Sequence, residues 1–342
     1  MSLRIAFVRG WSKDHTLAAW KSWIDSMQYA TAELSKKHSV RVFVVRKKPP
    51  SRQIINGIDF TFCKIETVML LNHLKQFNPH MIFLNQLNDP KWPAIIRVFP
   101  KTWKGIIDHG DPKLRAPLPQ KLDAIIVQRE YQRKIAASAN NIPLKKVLLC
   151  PYGVKDIFQP LPIQKTHTGI MVADFRSNIK RQGLLIRAWE KIPGKLILIG
   201  YFNRSHPRGY HLKCMKLTKT LGIANRVDFI DGVPKHELPA IINKAKIAYM
   251  TSAREAGPRA LPEMMACGLP AIVLSDCLAT THGVRHKIDG WIAQPTTQGI
   301  KDATMKVLKN WHKMGATASE RIRRQYPYDQ MLNFYRDLIR SV

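Results

Sequence analysis

The sequence predicts an α/β fold built from two parallel-sheet domains. Three observations predict it. The chain has 342 residues, more than one core usually organises. Short apolar, strand-like runs alternate with helical runs through both halves, which argues for parallel sheets with helices on both faces. Pro160 and Pro162 mark a linker between the halves. The expected organisation is a first domain over 1–160, a second over 161–325 and a terminal helix over 326–342.

Each element follows from its pattern. Arg4–Val8 reads as a strand, Thr16–Lys37 as an amphipathic helix, Val40–Val45 as a strand and Val68–Phe77 as a helix. Met81–Leu84, Gly105–Ile107 and Ala124–Val127 complete the strands of the first half. Ligands of such sheets bind beyond the carboxyl ends of the strands. Those ends lead into Arg9-Gly10-Trp11-Ser12-Lys13, Arg46-Lys47-Lys48, Asn85-Gln86 and Asp108-His109-Gly110-Asp111. In the second half Ile170–Val172, Lys195–Ile199, Val227–Ile230, Ile247–Met250 and Ala271–Leu274 read as strands. Tyr326–Ile339 reads as a helix, with apolar positions near i, i+3 and i+4.

Composition narrows the function classes. Hydrophobic residues make up 45% of the chain, ordinary for a globular protein. No apolar run reaches the roughly 18 residues of a membrane span, and Met1–Val8 turns polar too soon for a secretory signal. The five cysteines, at 63, 150, 214, 267 and 277, form no C-x-x-C pair. Their odd number and apolar neighbours suit reduced, buried thiols in a cytoplasmic protein rather than disulfides or zinc. Fifty-five basic against 24 acidic residues give a net charge of +31, which calls for a polyanionic partner or an anionic surface. Residues 1–160 hold 26 basic and 11 acidic side chains and residues 161–342 hold 29 and 13. Both halves therefore share the excess, as a long polyanion touching both would require.

The densest chemistry lies at Glu255-Ala256-Gly257-Pro258-Arg259-Ala260-Leu261-Pro262-Glu263, which leads into Met264-Met265-Ala266-Cys267-Gly268. A loop with Gly and Pro enters a short apolar helix, and Gly268 suits the position just past its end. Free amides at a helix start attract a diphosphate. Carboxylates beside a phosphate repel it, so Glu255 and Glu263 suit hydroxyl groups instead. Diphosphate plus hydroxyls describes a nucleotide-sugar.

This run resembles the E-x7-E segment of the retaining GT-B glycosyltransferases of family four. Cys150–Pro160 resembles that family's interdomain hinge. Gly169–Arg176, continuing through Lys180-Arg181-Gln182-Gly183-Leu184-Leu185-Ile186, resembles its first donor-domain strand, phosphate loop and helix. Val227–Pro234 resembles its base-binding turn. The resemblance implies two Rossmann-like domains facing a cleft, with the terminal helix crossing back to the first domain. It implies an acceptor-binding first domain and a nucleotide-sugar-binding second one. In the implied roles Glu255 grips the sugar hydroxyls and His109 lies near the sugar, with Asp111 a lesser candidate. Lys180, Arg176 and Arg181 face the diphosphate, Glu263 the ribose and Val233 the base. The backbone of Gly257, Pro258 and Arg259 lies against sugar and phosphates, and Gly10 is what remains of a glycine-rich first loop. The family's arginine, five positions before the lysine, is Phe175 here, and Arg176 is the neighbouring substitute. The implied chemistry is transfer with retention, from UDP-glucose in preference, with no separate nucleophile, no metal and no cofactor beyond the donor.

The acceptor is read from charge and aromatics. Trp11 and Lys13, Lys91 and Trp92, and Lys101, Trp103 and Lys104 mix cations with stacking surfaces, and Arg46–Arg52 adds a basic run. Lysine and arginine neutralise phosphates while aromatics stack on bases. The first expectation is therefore a hydroxymethylated base in double-stranded DNA, as with the phage enzymes that modify such bases. A base of that kind would leave the helix to reach the sugar. The alternatives are a cell-envelope enzyme with a lipid-linked or polysaccharide acceptor at an anionic membrane, and a catalytically inactive GT-B-like binding module.

Overall fold

Apolar runs and their hydrogen bonds assemble two sheets in the computed structural model. It describes residues 2–9, 31, 33–46, 51–55, 57–64, 66–85, 92–107, 122–175, 178–202, 209–255 and 257–342. The first sheet uses Arg4–Arg9 (β1), Ser39–Arg46 (β2), Ser51–Ile55 (β3), Ile58–Lys64 (β4), Met81–Asn85 (β5), Trp103–Ile107 (β6), Ala124–Val127 (β7) and Val147–Leu149 (β8). The second uses His167–Val172 (β9), Leu196–Gly200 (β10), Val227–Asp231 (β11), Ala245–Met250 (β12), Ala271–Leu274 (β13) and Gly290–Ala293 (β14).

The first sheet runs β3-β4-β2-β1-β5-β6-β7-β8 and the second β11-β10-β9-β12-β13-β14. Every pair is parallel except β3 with β4. Both orders reverse direction once, between β1 and β5 and between β9 and β12. Ligands of doubly wound sheets bind at that reversal. The fold is the GT-B type.

Contacts divide the chain into two units, residues 1–152 with 329–342, and residues 153–328. The first unit buries Val8, Phe43, Leu84, Ile106, Ile125 and Val127 against Leu70, Leu74, Ile95 and Ala136 of its helices. On the opposite face Phe7 stacks on Phe83 at 4.8 Å, and Tyr335 of the terminal helix meets Phe83 edge-on at 5.9 Å. That helix, Tyr328–Arg340, also buries Met331, Leu332 and Ile339. Each such side chain contributes about 1.5–3 kcal/mol.

The second unit covers both faces of its sheet. Helices Gln182–Trp189 and Thr297–Leu308 pack on one face, where Trp189 meets Tyr249 at 5.5 Å and the Tyr249 hydroxyl lies 2.8 Å from Thr304 Oγ1. Helices Ala260–Ala266 and Trp311–Gln325 pack on the other. The second unit takes up residues Gly153–Pro160, which the sequence reading placed in the first domain, because Val154 and Phe158 are buried in its core. A buried ion cluster ties Arg285 and Arg321 to Asp289, whose side chain is 0% exposed, at 2.7 and 2.6 Å.

Several expectations change. The basic run ending at Arg52 continues into a hairpin, in which the Arg52 guanidinium donates to both oxygens of Asp59 at 2.9 and 2.7 Å. Burial alone would raise the Asp59 pKa. Hydrogen bonds from Arg52 and Arg41 outweigh it and hold the carboxyl below its ordinary value. Trp92, expected beside an acceptor base, is fully buried in the core. Trp103 tilts against Phe83, and the buried Lys104 ammonium donates to the Phe99 and Thr102 carbonyls. Both open β6 and so lie at the amino end of the sheet, away from the ligand edge. Of the Thr16–Lys37 helix, only its end lies within the described residues, where Thr31 and Glu33–Ser35 are helical. Among the described residues no helix is long and apolar enough to cross a membrane.

Candidate functional site

The reversal between β9 and β12 in the second unit gathers the predicted donor residues. After β9 the chain turns through the short helix Asn178–Lys180, and Arg181 adopts a left-handed conformation, φ 54°, before Gln182–Trp189 begins. The Gln182 amide group donates to the Asp174 carbonyl at 3.0 Å, which fixes this corner. After β12, Thr251 donates its hydroxyl to the Lys180 carbonyl at 2.9 Å, and the Ala253 amide donates to the Ile179 carbonyl at 2.8 Å. The two loops are thereby pinned side by side.

The pinning brings Lys180 to Glu255. Lys180 Nζ lies 2.5 Å from Glu255 Oε1, and Ser252 Oγ donates to the same oxygen at 2.7 Å. The Glu255 side chain is 11% exposed and that of Lys180 25%. The pair is thus shielded from bulk water yet open on one side, where a Coulombic interaction is stronger than in water.

Glu263 occupies the first turn of Ala260–Ala266 and is largely buried. Lys235, which follows the turn after β11, holds its Oε1 at 2.5 Å. Lys235 was missed in the sequence reading; the signal available was its place directly after the proposed base-binding turn. Gly257 and Pro258 precede the helix, and Arg259 is its N-cap without a side-chain cap hydrogen bond. Gly268 closes the segment at φ 83°, as its place after the helix required. Val233 packs against the core beside this turn. Arg181 points elsewhere: its guanidinium donates to Asp276 at 2.7 Å, so an anion contact by Arg181 would need that bond to open. Gly10, His109, Asp111 and Arg176 lie outside the described residues.

No thiol here is poised as a nucleophile. Burial pushes Cys267, at the end of the Glu263 helix, up to about 12, with the nearby Glu263 charge adding to the effect. Among the described residues no group of three His, Cys, Asp or Glu side chains could hold a metal ion.

The arrangement offers two lysines and two carboxylates at the ligand edge of a doubly wound sheet, suited to an anion linked to polyhydroxylated rings. Residues 154–325 match the family described as glycosyl transferases group 1. No curated protein sequence matches the chain. Among solved structures, sucrose-phosphate synthase from Thermosynechococcus elongatus is similar with a TM-score of 0.80 at 15% identity, over 99% of this chain and 100% of that one. Anabaena HepE, in complex with UDP and glucose, is similar with a TM-score of 0.78 at 12% identity, over 99% and 100%. The lipopolysaccharide outer core galactosyltransferase WaaB is similar with a TM-score of 0.73 at 15% identity, also over 99% and 100%.

Proposed function

The chain belongs to the glycosyl transferases group 1, and from that membership we propose that it moves a hexose from a nucleotide-sugar to an acceptor hydroxyl with retention. The observation that carries this reading is the Lys180–Glu255 pair, held at 2.5 Å at the strand-order reversal of the second unit. UDP-glucose is the favoured donor, a choice supported by HepE, whose structure holds UDP and glucose.

In this reading the donor diphosphate takes Lys180 from Glu255. The lysine then faces the charge that grows on the departing phosphate, the main electrostatic contribution a protein makes to such a step. Glu255, released from its cation, accepts hydrogen bonds from the sugar hydroxyls, while Glu263 binds the ribose. The bond from the anomeric carbon to the diphosphate oxygen breaks and its electron pair leaves with UDP. The acceptor oxygen bonds the same face of that carbon, and its proton goes to the leaving phosphate. No protein nucleophile or metal takes part. His109 stands beside the sugar in this scheme, and Gly10 and Arg176 beside the phosphates.

The acceptor we propose is a hydroxymethylated base in double-stranded DNA, reached in the cytoplasm. The net charge of +31, shared by both halves, supports it. The likeness to a lipopolysaccharide galactosyltransferase favours a second reading, an envelope acceptor at an anionic surface. The test is mass spectrometry of nucleosides after incubating the chain with UDP-glucose and duplex DNA containing 5-hydroxymethylcytosine. A hexose mass shift on that base is expected. Donor hydrolysis without the shift would move the acceptor to the envelope class.

A further inference from the structure

Lys235 stands to Glu263 as Lys180 stands to Glu255, yet its surroundings differ. The turn after β11 is tightly drawn. Gly232 has φ 54°, its amide donates to the Gly200 carbonyl at 3.1 Å, and a Cβ there would come within 2.9 Å of the Tyr201 ring. The Pro234 carbonyl accepts from the Glu237 and Leu238 amides at 3.0 and 3.2 Å, which starts the next helix and fixes the chain on either side of Lys235. From this bend the ammonium reaches Glu263 Oε1 at 2.5 Å and lies 4.9 Å from the centroid of the Phe158 ring, which is 1% exposed.

A lysine ammonium carries three protons and a carboxylate has two oxygens. Glu263 Oε1 takes one proton, and the face of Phe158 receives another side of the cation. One N–H direction is left, and the Lys235 side chain keeps 23% of its surface open to solvent. Glu263 Oε2 carries no protein hydrogen bond among the described residues. Side by side, the pair offers one donor and one acceptor. Neighbouring hydroxyls match that pattern: one donates to Oε2 while the oxygen of the other accepts from Nζ. A phosphate would fill the donor but be repelled by the carboxylate, and a single hydroxyl would leave one of the two without a partner.

We propose that Lys235 is a specificity-determining residue that reads the vicinal 2′,3′-diol of the donor ribose together with Glu263, so that the site rejects 2′-deoxyribonucleotide donors. The inference rests on the reading of Glu263 as the ribose group. It gives the site a chemical filter against the deoxyribonucleoside diphosphates that share its base and phosphates.

Calorimetric titration of the full chain with UDP and with 2′-deoxy-UDP tests it, on the wild type, Lys235→Met and Lys235→Arg, with thermal midpoints to verify folding. The wild type is expected to prefer UDP by about 10–100-fold, the range of a hydrogen bond to a charged group. Lys235→Met should reduce that preference to a few-fold, and Lys235→Arg should retain most of it. With UDP-glucose, Lys235→Met should raise KM more than it lowers kcat, since the lost contact is made equally in ground and transition states. Equal binding of the two nucleotides by the wild type overturns the inference and leaves the donor reading standing. A full preference retained in folded Lys235→Met reduces the pair to a structural tie and overturns it too. Failure of the wild type to bind UDP, ADP or GDP overturns the nucleotide-sugar reading and the inference with it.

Discussion

At the strand-order reversal of the second sheet, each carboxylate of the site has its own cation: Glu255 holds Lys180, Glu263 holds Lys235, and nearby Asp276 holds Arg181. The same place in the first sheet is furnished differently. Arg9 and Asn85 pair across β1 and β5. Asn85 pairs on to Ile107, Ile107 to Ile126, and Gln128 follows two residues later, so Arg9, Asn85 and Gln128 share one face at the ligand edge. Asn85 and Gln128 are 6% and 3% exposed. Their amide oxygens are buried without a hydrogen-bond partner among the described residues. A buried polar atom in that condition costs about 1–3 kcal/mol. The edge of the second sheet is thus charge-balanced in the free protein, whereas the edge of the first keeps, beside Arg9, two buried amide oxygens with no hydrogen-bond partner among the described residues. In the proposed reading one edge exchanges an ionic partner and the other gains a hydrogen-bonding one.

Breaking the donor pair gives the largest effect. Glu255→Ala should lower transfer by at least about 10³-fold and Lys180→Met by about 10²-fold in kcat, following the scale of lost transition-state electrostatics. If DNA is the acceptor as proposed, its affinity should stay within about twofold for Glu255→Ala, because surface cations would hold the polyanion. Anisotropy with labelled duplex, run beside the turnover assay, checks both; a collapse of DNA affinity would merge the two sites into one.

Next comes the buried ion cluster that supports the donor half. Asp289→Asn leaves the buried Arg321 guanidinium without its counter-ion and should cost about 3–5 kcal/mol, read as a lower urea midpoint. The acceptor half should respond with the opposite sign. Asn85→Leu and Gln128→Leu remove the two amide oxygens that have no hydrogen-bond partner among the described residues, so stability should be unchanged or higher by about 1 kcal/mol. Acceptor KM should nevertheless rise by about tenfold. Loss of stability in these variants would show that the amides are already satisfied, and would erase the contrast between the halves. The smallest effect is expected at Gly268, where φ 83° penalises any Cβ. Gly268→Ala should cost about 1–2 kcal/mol, again by urea midpoint, without altering donor KM by more than twofold.

What the sequence made legible follows physical lines. Strands β9 to β13 fall where the apolar runs predicted them, because strands buried on both faces leave unbroken hydrophobic stretches, as in β10 and β13. Strand β3 was missed because Arg52, Gln53 and Ile54 are exposed at a sheet edge and carry no burial pattern. Trp103 and Lys104 were misread because local composition does not say which end of a strand a residue occupies, and Trp92 because it does not say which face of a helix is buried. Glu255 and Glu263 were visible through their fixed spacing on one segment. Their lysines were not equally visible. Lys180 lies 75 positions from Glu255, within a run of its own that resembles a phosphate loop, whereas Lys235 lies 28 positions from Glu263 with only a turn to mark it.

The first unit is discontinuous, made of residues 1–152 and 329–342, while the second is one uninterrupted stretch. During synthesis the second unit can therefore finish folding while the first is still waiting for the helix Tyr328–Arg340. Phe83 and the Tyr335 that covers it are separated by most of the chain. At about 5–20 residues per second, roughly 10–50 s pass between their emergence from the ribosome. Throughout that interval part of an aromatic sheet face stays open, in the form most prone to aggregate or to recruit a chaperone. The helix Tyr328–Arg340 is thus the one that ends this exposed interval of the nascent first unit.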